Sequence, residues 1–191
     1  MARTTRTFIA LPIPALLRAK LERLQRLIAP SLEGAKWVVP DMFHVTLAFL
    51  GDVDDIDLNR VCKAVAAAVK DIPPFGLTIK GFGAFPDAGE PRVLWAGLAG
   101  DLDALAAIQA AVVAAVVAAG YRPDDRFHAH ITLGRLKIAK GQVVDARPLE
   151  AHYRNWAAGV FQADSVVVYA STMTPEGPAY APLGIAPMAK H

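Results

Sequence analysis

The sequence predicts an α+β fold built from two lobes of similar construction. Predicted strands and helices are interleaved along the 191 residues without the regular βαβ rhythm of a doubly wound sheet. A His-aliphatic-Thr-Leu tetrapeptide occurs once in each half of the chain, at 44–47 and at 130–133, and an apolar helix precedes each copy. We therefore expect two related lobes that present these two strands to each other.

Composition limits the class of protein. A hydrophobic content of 54% is ample for a sizeable core, and the net charge of +2 is too small to indicate nucleic-acid binding by itself. The only cysteine, Cys62, lies in a helical pattern and is interpreted as a small buried hydrophobe, which fits a reducing cytoplasm. The N-terminus lacks a secretory apolar run, and the Ala/Val-rich segment 102–119 contains Asp103 and Gln109, so we expect a core helix and no membrane span.

The chain before the first motif reads as a strand, a helix and a second strand. Residues 8–11 form a predicted buried strand, and Pro12 and Pro14 open a helix with apolar residues at helical spacing. Pro30 ends this helix, and its basic residues lie mainly off the apolar stripe, which favours a solvated face over an RNA-binding surface. Residues 36–39 then form a strand that leads into the motif.

An acidic cluster follows the first motif. Asp52, Asp54, Asp55 and Asp57 stand where a helix ending near Lys70 is predicted to begin, and we interpret them as caps that complement the helix dipole. The cluster lacks the glycine and the distant glutamate of a calcium loop, so the sequence predicts no metal site there.

The central part of the chain contains two strands and a long helix. Residues 75–82 and 92–98 are predicted strands, and the glycine-rich run 81–85 indicates a bend or bulge. Asp101 is expected to cap the Ala/Val-rich helix, which stops at Gly120.

The remaining connections and the tail are mostly irregular in the prediction. Residues 121–126 form a polar loop, 142–154 a loop with a short helix, and 165–169 a strand. The proline-rich tail is predicted to be turn-rich, and loosely ordered from about residue 184.

The two tetrapeptides suggest chemistry on a phosphate group. In an extended strand the histidine and threonine of each copy share one face, and the aliphatic residues share the other. One neutral imidazole can accept a proton from an attacking oxygen while an imidazolium donates one to the leaving oxygen, and threonine hydroxyls can donate to phosphate oxygens. A single copy would more simply be a satisfied structural histidine, but two copies with the same alternation favour a paired site.

At this point the sequence resembles a known family. Residues 43–51 (FHVTLAFLG) and 127–135 (FHAHITLGR) are similar to the paired signatures of the two-histidine (2H) phosphoesterases, in the RNA 2′,3′-cyclic phosphodiesterase, or 2′-5′ RNA ligase-like, branch. Segments 6–11 and 91–95 resemble the opening and central strands of that branch, and 169–171 together with 177–183 resemble its closing segment. The resemblance therefore spans nearly the whole chain, as one bilobal domain over 1–191.

The resemblance implies a fold, an activity and a set of site residues. The fold would be two antiparallel sheets that face a central cleft, with helices outside. The activity would be metal-independent, cofactor-free hydrolysis of RNA 2′,3′-cyclic phosphate ends to 2′-phosphomonoesters, with reversible 2′-5′ RNA ligation as the reverse of the same chemistry. His44 and His130 would be the acid–base pair, usually in that order, and Thr46 and Thr132 the phosphate ligands.

Arg135 matches the arginine that closes the second family motif and would be a further phosphate ligand. Strict alternation places it on the face opposite His130, so a bulge or a strand end near Gly134 is required. His128 has no counterpart in the first motif and is interpreted as a loop or rim histidine. Four aromatic residues could stack on a base, although packing explains each of them more simply: Trp37, Phe43, Phe49 and Phe127.

Two other functions stay open at this level. The same site could act on small cyclic nucleotides or on 2′-5′ oligonucleotides, or the protein could bind RNA ends without catalysis. The expected partner is RNA or an oligonucleotide with a 2′,3′-cyclic phosphate end, and the expected form is a cytoplasmic monomer.

Overall fold

The computed structural model describes residues 3–123, 127–137, 143–175 and 177–190. In these residues the strands are β1 Thr4–Pro12, β2 Ala35–Trp37, β3 His44–Asp54, β4 Phe75–Phe85, β5 Val93–Gly100, β6 His130–Leu136, β7 Ala157–Ala163, β8 Ser165–Thr174 and β9 Gly177–Pro187. The α-helices are α1 Ala15–Ile28, α2 Leu58–Val69, α3 Leu102–Ala118 and α4 Arg147–Tyr153. None of the helices in these residues is long and apolar enough to cross a bilayer.

The strands form an antiparallel sheet in the order β7-β4-β5-β6-β3-β1-β8-β9, and the short β2 pairs with β6. Between β3 and β6 the ladder is reduced to a single residue pair, Val45 with Ile131. This pair divides the sheet into a first lobe of β3, β1, β8 and β9 and a second lobe of β6, β5, β4 and β7. The predicted α+β fold with two antiparallel sheets is confirmed, with the refinement that one residue pair joins the sheets into a curled half-barrel.

The two lobes are related by an approximate two-fold symmetry. The strand order is mirrored about the Val45–Ile131 pair, so β3 corresponds to β6 and β1 to β5. Each lobe also sends a helix to the other: α1 follows β1 and lies against β7, where Lys20 Nζ donates to the Ala158 carbonyl at 2.6 Å. Correspondingly, α3 follows β5 and packs against β3 and α2. This exchange fastens the lobes together and supports the cleft between them.

Several local predictions are confirmed. The α1 helix starts after Pro14 and ends before Pro30, and Asp101 caps α3 by accepting a hydrogen bond from the Ala104 amide at 3.0 Å. Gly120, with φ +92°, follows the end of α3 in the left-handed region that glycine favours. The pairing of β4 with β5 shifts register between Ile79 and Phe82, which is the predicted bulge.

The prediction that the acidic cluster begins a helix ending near Lys70 is confirmed in position, since Asp57 and Lys70 flank α2, but no carboxylate caps the helix by a hydrogen bond. β3 continues through Asp54, and the first turn of α2 receives no side-chain cap. Asp55 instead accepts a hydrogen bond from Thr5 Oγ1 at 2.7 Å, and Asp57 accepts one from the Tyr121 hydroxyl at 2.8 Å. These carboxylates therefore link separate segments of the chain.

The prediction of a turn-rich tail, loose from about 184, was wrong. Gly177–Pro187 form β9, which pairs with β8 from Thr174 to Ser165, and Met188 is 4% exposed. Because β9 is the outermost strand, its prolines can sit where no amide hydrogen bond is needed.

Candidate active site

The two tetrapeptides lie at equivalent positions on either side of the lobe junction. Val45 and Ile131, the residues between histidine and threonine in each copy, form the junction pair and are fully buried. The following leucines are buried as well, whereas both histidines and both threonines are half-buried. The structure thus brings the four polar residues of the two motifs to the centre of the sheet.

A β-bulge resolves the direction of Arg135. In the pairing of β5 with β6, Trp95 faces Thr132 and Leu94 faces Gly134, so Leu133 is the extra residue. Leu133 and Gly134 are consequently both buried, and Arg135 is exposed. The bulge therefore returns Arg135 to the face that carries Thr132, in agreement with the family motif rather than with strict alternation.

The same bulge occurs in the first lobe. Ile9 faces Ala48 and Ala10 faces Thr46, which leaves Leu47 as the extra residue. Phe49 is then the structural counterpart of Arg135, and it is 37% exposed. The repeated pattern polar-apolar-polar-apolar-small in both motifs was the sequence signal for this pair of bulges, and the sequence interpretation missed its first copy.

Two glutamine side chains hold the bulges from behind. Gln25 on α1 is 6% exposed, and its Nε2 donates to the carbonyls of Leu133 and Val38, both at 2.8 Å. Gln109 on α3 donates to the Leu47 carbonyl at 3.3 Å. Gln109 thus pairs the carbonyl of the bulged Leu47, and Gln25 adds a second donor to the Leu133 carbonyl, which also accepts from the Val38 amide at 2.9 Å.

Replacement of Gln25 with methionine tests this role. The change keeps the shape and removes both donated hydrogen bonds, so we expect a loss of about 1–3 kcal/mol in the free energy of unfolding. It should also lower turnover, because the segment carrying Arg135 is held less firmly. Urea unfolding measures the first effect. The exposed Gln162 on β7 offers a matched control, and equal unfolding free energies for Gln25→Met and Gln162→Met would contradict the assignment.

A cavity of about 380 Å³ lies at the lobe junction. Its polar lining includes His44, Thr46, Thr132 and Arg135, and two of the four candidate base-stacking residues, Trp37 and Phe49, also line it. His130 is not among the described residues that line this cavity. The other two candidates lie in or against the core: Phe43 is 3% exposed and belongs to the core, and Phe127 packs against the core.

Both histidine rings are fixed in the same way. Nδ1 of His44 lies 2.7 Å from the carbonyl oxygen of Met42, and Nδ1 of His130 lies 2.7 Å from that of His128. A carbonyl oxygen can only accept, so Nδ1 carries a proton in each ring. Nε2 is therefore the nitrogen left for proton transfer in both histidines.

Aromatic side chains enclose the two histidines. The His44 ring lies 4.8 Å from Phe8 and 5.5 Å from Tyr180, between ring centroids. The His130 ring packs perpendicular to Phe85 at 5.2 Å, and the exposed His128 ring lies 5.2 Å from the same phenylalanine. Each imidazole is thus partly withdrawn from water.

This enclosure lowers the pKa of both imidazole rings. Burial lowers the pKa of His44, the hydrogen bond to Met42 opposes the shift, and the neighbouring His130 adds to it. Burial also lowers the pKa of His130, against the hydrogen bond to His128, with smaller contributions from the charges of His128 and Arg135. Both groups therefore favour the neutral form in the free protein, and His130 is close enough to lower the pKa of His44 further.

The arrangement suits proton transfer at a phosphate group. It combines two imidazoles of fixed tautomer, two threonines and a guanidinium at the lobe junction, and all of these except His130 line the cavity. The described residues contain no cluster of three or more His, Cys, Asp or Glu side chains that could hold a metal ion.

A family model matches the chain twice. The model for LigT like Phosphoesterase covers residues 11–95 and 99–180, so each match contains one of the two motifs. The chain belongs to this family of phosphoesterases. Each match contributes strands to both lobes, since 11–95 include β3 of the first lobe and β4 of the second, and 99–180 include β6 of the second lobe and β8 of the first.

Curated relatives cover most of this phosphoesterase. It is 31% identical over 182 residues to the RNA 2′,3′-cyclic phosphodiesterase of Archaeoglobus fulgidus, an alignment that covers 94% of this chain and 98% of that one. The Thermotoga maritima protein of the same name is 29% identical over 181 residues, with 92% and 91% covered.

Solved structures share the fold. A crystal structure of a Thermus thermophilus protein has a TM-score of 0.79 and 27% identity, and covers 97% of this chain and 100% of that chain. Escherichia coli LigT in its apo form has a TM-score of 0.76 at 23% identity, with 98% and 99% covered, a likeness that concerns the fold alone.

Proposed function

We propose that this phosphoesterase hydrolyses the 2′,3′-cyclic phosphate end of RNA to a 2′-phosphomonoester, without a metal ion or cofactor. The observation that carries the proposal is the symmetric pair of histidines, each with Nδ1 bonded to the carbonyl two residues earlier and Nε2 available for proton transfer. The name shared by the relatives, RNA 2′,3′-cyclic phosphodiesterase, supports the substrate class.

The lining of the cavity suggests the order of acid and base. His44 borders the same cavity as Trp37 and Phe49, whose rings suit a nucleobase. With the terminal nucleoside there, the leaving O3′ lies on the His44 side, so His44 acts as the acid and His130 as the base. His130 takes a proton from the attacking water as oxygen bonds to phosphorus, the bond from phosphorus to O3′ breaks, and His44 protonates O3′.

The remaining polar groups stabilise the charge on the phosphate. Thr46 and Thr132 can donate hydrogen bonds to the non-bridging oxygens, and Arg135 can bind them as a fixed cation. Lys36 and Lys137 also border the cavity and suit the phosphates of a longer chain.

The pH dependence of turnover follows from the lowered pKa values. Because the pKa of both histidines lies below the usual value of about 6.5 in the free protein, we expect kcat/KM to peak below about pH 6.5. The bound anion favours imidazolium, so the kcat maximum should lie at higher pH than the kcat/KM maximum. Rates measured from about pH 4.5 to about pH 9 test both statements. A kcat/KM maximum at alkaline pH would contradict the first statement, and kcat and kcat/KM maxima at the same pH would contradict the second.

Incubation with RNA that ends in a 2′,3′-cyclic phosphate tests the proposed function. We expect a 2′-monoester as the product, with a rate that EDTA does not lower. Release of a 3′-monoester, or a strong loss on chelation, would contradict the mechanism. Faster turnover of a mononucleoside cyclic phosphate than of an oligoribonucleotide would indicate that small cyclic nucleotides are the substrates. Binding of RNA without turnover would indicate an RNA-end binder.

The assignments of a single bilobal domain, a cytoplasmic location and a monomeric state stay predictions. The exchange of α1 and α3 between the lobes supports the first of these, because neither lobe is covered on its own.

A further inference from the structure

An exposed cation, Arg6 on β1, lies at the rim of the cavity, against the ring of Phe49. The Arg6 guanidinium carbon is 4.9 Å from the centroid of that ring. Phe49 lines the cavity, whereas Arg6 is not among the described residues that line it. Arg6 therefore stands just beyond the proposed base-binding ring, and the proposed mechanism does not use it.

The backbone places Arg6 on the face of the sheet that carries the cavity. Arg6 and Phe8 are two residues apart on β1 and share a face, and Phe8 lines the cavity. Ser171, which faces Arg6 in the β1–β8 ladder, lines the cavity as well. Directly opposed residues of an antiparallel pair share a face, so the Ser171 hydroxyl and the Arg6 guanidinium point to the same side of the sheet.

The donors of both groups are free of partners in the part of the chain that the structure describes. Asp52 faces Arg6 from β3 and is exposed, yet no ion pair joins the two, and Arg6 forms none with another described residue. A contact with an aromatic ring fixes the direction of a guanidinium and leaves its N–H donors available. Arg6 is thus a positioned cation that has not been neutralised.

The two lobes differ in charge at this point. Phe49 is the counterpart of Arg135, so the first lobe has an aromatic ring where the second lobe has the proposed phosphate ligand. The cation of the first lobe stands one strand further out, at Arg6. One guanidinium therefore lies on the second-lobe side of the cavity, and the other lies on the first-lobe side, beyond Phe49.

This charge pattern matches the end of an RNA chain. A terminal nucleotide has the cyclic phosphate at one end of its ribose and the 5′ phosphodiester at the other. With the cyclic phosphate beside Arg135 and the base against Phe49, the 5′ linkage leaves the cavity past Phe49. Arg6 and Ser171 border that exit.

We propose that Arg6, together with Ser171, binds the phosphodiester on the 5′ side of the terminal nucleotide. The enzyme then prefers the end of an RNA chain to a mononucleoside cyclic phosphate, which lacks this phosphate. A guanidinium suits the role because it binds a phosphodiester anion through paired, charge-assisted hydrogen bonds. The inference rests on the proposed function, because it places this second phosphate relative to the cyclic one.

Lys36 is the other candidate for the same phosphate. It lines the cavity and faces Arg135 in the β2–β6 ladder. Lys36 therefore lies beside the proposed position of the cyclic phosphate, rather than beyond the base-binding ring, and Lys36→Ala should slow all substrates alike.

A neutral linkage tests the contact. The substrates are a dinucleotide ending in 2′,3′-cyclic phosphate, the same dinucleotide with a methylphosphonate linkage, and the mononucleoside cyclic phosphate. For the wild-type protein we expect kcat/KM to be about tenfold higher with the charged linkage than with the neutral one, the effect of one charge-assisted contact. Arg6→Ala should abolish this preference, and should shrink the preference for the charged dinucleotide over the mononucleoside by the same factor. Arg6→Lys should keep part of both, since it retains the charge without the paired donors.

Arg23→Ala is the matched control. It removes one exposed cation from α1 that does not line the cavity, and it should keep the full preference for the charged linkage. Equal rates with charged and neutral linkages in the wild-type protein, or faster turnover of the mononucleoside, would overturn the contact. So would a preference that survives in Arg6→Ala, and its loss in Lys36→Ala instead would move the contact to that lysine. Failure of the wild-type protein to open any of the three cyclic phosphates would contradict the proposed function itself.

Discussion

Alanine at His44 or at His130 should lower kcat/KM for opening of the cyclic phosphate by about 10²–10⁴-fold. Each change removes the only nitrogen that the ring offers for proton transfer, since Nδ1 is engaged by a backbone carbonyl. The double variant should be little slower than either single variant, because the acid and the base act in one step.

His152 provides the control for this experiment. It is exposed on α4, and its ring contacts Tyr153 rather than the cavity. His152→Ala should therefore retain wild-type kcat/KM. Thermal unfolding of all variants shows whether a loss of activity comes from the missing imidazole or from unfolding of the protein. This control matters most for His44, because its ring packs against Phe8. Full turnover in a folded His44→Ala or His130→Ala protein would exclude the proposed pair.

The second large effect is expected at Arg135. Replacement with alanine should lower kcat/KM by about 10²–10³-fold, because a fixed cation next to the developing phosphate charge is lost. Lysine should restore only part of the rate, since it keeps the charge but not the planar, bidentate geometry. Because Arg135 is exposed, neither change should alter the free energy of unfolding appreciably.

Arg23→Ala controls for the loss of one exposed positive charge, and its activity should equal that of the wild-type protein. If Arg135→Ala and Arg23→Ala lowered turnover to the same small extent, Arg135 would act only through the general field of the protein. A matched replacement in the other lobe, Phe49→Ala, should raise KM for a nucleoside cyclic phosphate more than it lowers kcat, because its ring is proposed to contact the base.

The alternation of the two motifs was sufficient to predict which residues face the core. Val45, Leu47, Ile131 and Leu133 are buried as the period of two requires, and the polar residues between them are half-buried. Alternation failed at Arg135 because a bulge is a mismatch between two strands. It depends on the register of β6 against β5, which no single strand encodes.

Contacts between residues far apart in the chain could not be predicted from the sequence either. Gln25 reads as one polar residue on an amphipathic helix, yet it supports the Leu133 carbonyl, 108 positions away in the chain. The prolines of β9 indicate turns when the tail is considered alone, and they are compatible with a strand only because β9 lies at the sheet edge. Edge position and bulge support both follow from the assembled sheet rather than from local propensity.

The central claim is that His44 and His130 act on one phosphate. It is tested most directly by NMR of the histidine side-chain nitrogens during titration with a nucleoside 2′-monophosphate, the proposed type of product. We expect both rings to be in the Nδ1–H form when free, and both pKa values to rise on binding, since the anion stabilises each imidazolium. A shift in only one of the two rings, or the Nε2–H form in either free ring, would contradict a shared site.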